Sequence, residues 1–130
     1  MAAASERPMK YSVATLHYFR TAGAVGVLTG PGTFRGAAGH RDRGTWVQFD
    51  VTIGGGVIRD ARFLAFGCPH TIAVSAWVAE QAIGKGAGAA LPEAVQALSE
   101  RFAVPVQKRG RLLIIEDAWL AALEGALQSD

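Results

Sequence analysis

The chain is poor in the residues that build covalent or metal frameworks: among 130 residues there are one cysteine, three histidines and two methionines. A lone Cys68 excludes an intramolecular disulfide framework, and it excludes any zinc or iron-sulfur site made from several thiolates of one chain. Charge is also sparse, at 18% of residues, and nearly balanced, with 13 Lys and Arg against 11 Asp and Glu. No basic run exceeds a few residues, so the electrostatic footprint of a nucleic-acid binder is missing. No stretch reaches the roughly 18 consecutive apolar residues of a membrane span. The opening MAAASERPMKYS has no apolar signal core ahead of Lys10, which gives the expectation of a cytoplasmic protein that binds neither membrane nor nucleic acid.

Apolar residues, at 50% of the chain, are abundant enough to offset the entropy of ordering it. The length suits one compact domain over residues 10–130, with residues 1–9 small, polar and frayed. Tyr11, Val13, Ala14, Leu16, Tyr18 and Phe19 fall near helical spacing. Closely set glycines and Pro31 then break the pattern between Thr21 and Gly39, where one irregular strand is expected, at Ala24 to Leu28 or at Thr33 to Ala37. From Thr45 to Ile53 the residues Val47, Phe49, Val51 and Ile53 alternate onto one face of a strand. Gly54, Gly55 and Gly56 permit a turn, and Val57 to Phe66 completes an antiparallel hairpin. No lysine and helix follow those glycines, so they do not form a phosphate loop.

Three helices are expected after Gly67. The first runs from Pro69 to the Gly84-Lys85-Gly86 stretch, the second from Leu91-Pro92-Glu93 to about Ala103, and the third from about Arg111 to Ala126. Leu112, Ile115, Trp119, Ala122, Leu123 and Ala126 form the apolar face of the last helix. Strands followed by helices imply an α+β arrangement, a small antiparallel three-stranded sheet with helices packed on one face.

Chemistry concentrates at Cys68, which stands between a strand and a helix. The N–H groups of a first helical turn stabilise a thiolate there, although a free cysteine at such a corner also serves simply as a small buried residue. His40 and His70 are in a glycine-rich loop and in a first helical turn, where an ordinary surface histidine is as good an explanation as a ligand. No nucleophile, base and oxyanion site can be assembled from spacing, so an enzyme is not expected.

The residues around this point have a family likeness. Val57-Ile58-Arg59-Asp60-Ala61-Arg62-Phe63, Phe66-Gly67-Cys68, Ile72-Ala73, Ser75, Glu80 and Gly84-Lys85 together resemble the core of the IscU/NifU-type iron-sulfur cluster assembly scaffolds. The likeness extends to Tyr11, His17, Tyr18 and Val25-Gly26 on one side, and to Lys108, Glu116-Asp117-Ala118 and Ala121-Ala122 on the other. It covers about residues 10 to 127. The resemblance implies a scaffold protein in iron-sulfur cluster assembly, partnered by a cysteine desulfurase or other assembly proteins. It implies a cluster or a bound metal held by three cysteines, aided by an aspartate and a histidine.

Here only Cys68 matches those cysteines. The family's Cys-Gly-Asp motif falls on His40-Arg41-Asp42 if one residue is inserted, or puts Arg41 in place of the cysteine if not. Its His-Cys pair falls on Gly110 and Arg111. The ligand set this leaves, Cys68 with Asp42 and His40, suits a single zinc or iron ion better than a cluster, which takes about four ligands. Arg111, and Arg41 in the second alignment, would instead favour an anion. Val104-Pro105-Val106-Gln107-Lys108 keeps one proline and the lysine of the family's chaperone-recognition motif. The expectation is therefore an accessory or carrier with a degenerate ligand set, Cys68 being its cofactor-binding residue. The rivals are a non-enzymatic protein-binding module with a silent site and a mononuclear zinc or iron protein. A homodimer meeting at Cys68 would supply two thiolates.

Overall fold

A computed structural model describes residues 11–21, 23–88 and 91–128; the stretch expected to fray, residues 1–9, lies outside them. The elements run α1 (Val13–Thr21), β1 (Thr33–His40), a 3-10 turn (Arg41–Arg43), β2 (Thr45–Gly54), β3 (Val57–Phe66), α2 (Pro69–Ala82), α3 (Val95–Arg101), a second 3-10 turn (Val106–Lys108) and α4 (Arg109–Gln128).

The three strands form one antiparallel sheet in the order β1-β2-β3. β2 and β3 are joined through Gly55 and Gly56, whose φ values of 62° and 76° are those of a tight hairpin turn that side chains disfavour. Of the two candidate first strands, Thr33 to Ala37 lies within β1. The other, Ala24 to Leu28, contributes only a parallel bridge from Val25 to Phe63 on the free edge of β3. From there the chain crosses to β1 and is pinned on the way, where the Leu28 N–H donates to Asp50 Oδ2 at 2.9 Å. The Arg35 guanidinium holds the same carboxylate at 2.8 and 2.9 Å.

The opposite face of the sheet carries the core. Val47, Phe49 and Val51 of β2 and Ala61 and Phe63 of β3 meet Ala73, Val74 and Val78 of α2 and Leu112, Ile115, Trp119 and Ala122 of α4, all buried. The rings of Phe49 and Trp119 meet edge to face at 5.1 Å. α4 lies on β1 and β2, α2 on β3, and α1 packs chiefly on α2. This is the expected α+β arrangement. α3 is shorter than its apolar pattern suggested, since Leu91-Pro92-Glu93 precedes the helix instead of opening it. α4 begins two residues before Arg111, straight out of the 3-10 turn at Val106–Lys108.

Two close approaches set where α4 sits. A Cβ on Gly36 would come within 2.1 Å of Ala122 N and 2.6 Å of Ala118 O, so helix backbone rests directly on strand backbone. A Cβ on Gly39 would come within 3.0 Å of the Ile114 side chain. β1 and β3 both run antiparallel to β2, so their C-terminal ends share one edge of the molecule, with His40 opposite Thr45 and Phe66 opposite Trp46. The first turn of α4 is laid across that edge.

Candidate functional site

β3 ends at Phe66, Gly67 turns the chain, and Cys68 is the N-cap of α2 with extended backbone (φ −80°, ψ 170°). Pro69 follows at the first helical position, where its missing N–H costs nothing and its fixed φ suits the helix. Gly67 packs closely on the first turn of the helix: a Cβ there would come within 3.0 Å of Thr71 Oγ1. The Cys68 sulfur is thus held in one place, half-buried, by a strand end and a helix start.

Its principal partner comes from 43 residues away. Arg111 Nη1, in the first turn of α4, donates to Cys68 Sγ at 3.0 Å, and Thr71 Oγ1 stands 3.7 Å from the sulfur. Burial raises the pKa of the thiol, but the His70 side chain, the Thr71 hydroxyl and the first-turn N–H groups outweigh it and bring the value to about 5. Those N–H groups act through their dipoles, since the sulfur closes no regular capping hydrogen bond. Neither ring nitrogen of His70 has a hydrogen-bond partner, so the direct contacts to the sulfur are those of Thr71 and of the Arg111 guanidinium, which favours the thiolate by charge. At neutral pH Cys68 is a thiolate paired with arginine.

His70 is buried, with its ring edge-on to Tyr11 at 4.8 Å, and Lys108 Nζ lies over the other ring, 5.5 Å from the Tyr11 centroid. Arg111 also lines a cavity of about 350 Å³ with Gly39, His40, Arg43, Thr45, Gln107, Gly110 and Ile114, and Cys68 is not part of that lining. Its lining carries two arginines and no carboxylate.

The residues expected to bind metal are distributed differently from that expectation. His40 lines the cavity together with Arg111, whereas Asp42 sits in the exposed 3-10 turn and does not line it. Among the described residues no group of three or more His, Cys, Asp and Glu side chains is placed to hold a metal ion. The guanidinium at 3.0 Å also brings positive charge to the Cys68 sulfur, which disfavours a cation there. Arg41 is turned aside, its guanidinium 4.8 Å from the centroid of the Trp46 ring. Thr71 and Arg43 are parts of the site that sequence reasoning missed. Thr71 had a signal, being three residues past an N-cap on the same face; Arg43 had none.

The fold and this corner define a class: an α+β domain in which a sheet hairpin delivers a cysteine to the start of a helix. The family described as NifU-like N terminal domain matches residues 10–125, and the chain belongs to that family. Among solved structures, a NifU-like nitrogen-fixation protein (N-terminal part) from Brucella abortus is similar at 18% identity with a TM-score of 0.71, over 92% of this chain and 95% of that one. A protein assigned as an iron-sulfur cluster assembly scaffold for the SUF system, from the thermophile Fervidobacterium islandicum AW-1, is similar at 18% identity with a TM-score of 0.69, over 87% of this chain and 96% of that one. No protein of curated function matches the sequence.

Proposed function

We propose that this protein serves iron-sulfur cluster assembly as a scaffold-type accessory that carries sulfur on Cys68. The observation that carries the reading is the Cys68 thiolate held at a helix N-terminus by Arg111 at 3.0 Å, inside a fold of the scaffold family. One thiolate without a convergent histidine and carboxylate does not fit a cluster held by a single chain.

A persulfide is an anion like the thiolate from which it forms, and the same guanidinium suits both. The Cys68 thiolate attacks the terminal sulfur of a donor persulfide, such as that of a cysteine desulfurase. A new S–S bond forms at Cys68 while the donor's S–S bond breaks, and the donor leaves as a thiolate. One sulfur atom has moved and no external oxidant or reductant is consumed. The low thiol pKa keeps Cys68 in its attacking form at neutral pH.

Anaerobic incubation with a cysteine desulfurase and cysteine, followed by intact-mass analysis, tests this. The expected result is the gain of one sulfur atom, reversed by a reducing thiol and absent from Cys68→Ala. An unmodified Cys68 beside an active desulfurase would overturn it. Retention of partner binding by Cys68→Ala in that case would make the protein an interface module with a silent thiol.

A further inference from the structure

The buried face of α4 uses Leu112, Ile115, Trp119, Ala122 and Leu123. A second set of leucines, Leu113, Leu120 and Leu127, lies on the flank of the helix, about 100° round from that face, 52%, 38% and 63% exposed. They recur every seven residues along a seam of roughly 21 Å, at 1.5 Å per residue. Between them stand Asp117 and Glu124, both exposed. The exposed line of the helix therefore reads Leu113, Asp117, Leu120, Glu124, Leu127, in steps of four and three, with leucine at one heptad position and an acid at the other.

Arg109 stands one turn before Leu113 on this side of the helix, and beyond that first turn the charge is of one sign. From Leu112 to Gln128 the chain has Glu116, Asp117 and Glu124 and no Lys or Arg. Among the described residues no salt bridge reaches any of the three, the ion pairs being Arg35–Asp50, Arg62–Asp60 and Arg101–Glu93. Glu124 is also near the helix C-terminus, where the helix dipole adds negative potential and no basic residue answers it. A leucine seam between unneutralised acids disfavours a second copy of itself, since parallel or antiparallel pairing brings Asp117 and Glu124 of one chain against the acids of the other. An anionic lipid surface is repelled for the same reason.

We infer that the exposed flank of α4 docks an amphipathic helix of another protein, one with an apolar stripe flanked by Lys or Arg. The leucines supply apolar area, and the acids set the sign of the partner and its register.

The probe is a synthetic helix of about three heptads with Leu along its seam and Lys on both flanks, compared with the same peptide carrying Glu in place of Lys. Titrated into the labelled full chain and followed by backbone NMR, the Lys peptide is expected to shift resonances of Leu113, Asp117, Leu120, Glu124 and Leu127. The Glu peptide is expected to shift none. Leu113→Ser with Leu120→Ser, at exposed positions that leave the core intact, is expected to weaken Lys-peptide binding by about tenfold or more. Asp117→Lys with Glu124→Lys is expected to reverse the preference between the peptides. Equal binding to wild type and the serine variant, or shifts located elsewhere, would overturn the inference. So would a dimer in sedimentation that the serine variant abolishes, because that assigns the seam to a second copy.

Discussion

At Cys68 burial and polar contacts act in opposite directions, and the polar contacts win, bringing the thiol to about 5. Iodoacetamide alkylation followed against pH is therefore expected to show a midpoint near that value. Arg111→Ala should move the midpoint upward, because the group lost favours the thiolate. An unmoved midpoint would remove Arg111 from the account. The same shift acts on stability. The folded pKa lies below the ordinary value of 9.0, so the stabilisation is complete above about pH 9, falls as pH drops toward 5 and is gone below it. Cys68→Ala should flatten that slope in denaturant titrations between pH 5 and 9. Asp50 is another residue whose surroundings set its charge. Burial raises its pKa, but Arg35, the Leu28 N–H and Gln48 more than compensate and hold it below the usual carboxylate range. Its stabilisation is present above the unfolded carboxylate pKa and is lost as pH falls through the lower folded value. Asp50→Asn should lose stability at neutral pH and converge with wild type in acid.

The strands and helices themselves follow from alternation, 3.6-residue spacing and the Gly-Gly turn, which is why β2, β3 and α2 stand nearly where the pattern puts them. Less legible is how closely α4 lies on β1, since a lone glycine in a glycine-rich stretch does not announce that a helix backbone will rest on it. Gly36→Ala is expected to destabilise the protein by about 1–3 kcal/mol or more through overpacking, measured by chemical denaturation. The end of α3 offers the opposite case. Ala103 is exposed and adopts φ 52°, the left-handed region that glycine tolerates best. Ala103→Gly should leave stability unchanged or raise it, by about 0.5 kcal/mol at most, the relief of strain being offset by a more flexible unfolded chain. A loss larger than this in thermal unfolding would show that the Ala103 methyl is needed.

For the whole molecule, the absence of a convergent ligand group among the described residues carries an expectation of its own. Tm should be unchanged by a chelator such as EDTA, because no three donor side chains among those residues are placed to couple metal binding to folding. A fall in Tm on chelation would show that His40, Asp42 and Cys68 do come together around a metal.

The chain's own pattern was enough for the α+β class, the family likeness and the importance of one cysteine at a strand-to-helix junction, since these depend on local periodicity and on residue types near one another in the sequence. It was also enough to show that the usual ligands were missing. It did not decide what stands at their place. Arg111 was visible as a cation opposing metal, but its contact with Cys68 spans 43 residues and exists only because α4 packs on the glycine-lined backbone of β1 and brings its first turn over the sheet edge. The same packing directs Leu112 inward and Leu113 outward. The local helix start thus lowers the thiol pKa, and tertiary structure alone adds the arginine beside it and leaves Leu113, Leu120 and Leu127 exposed.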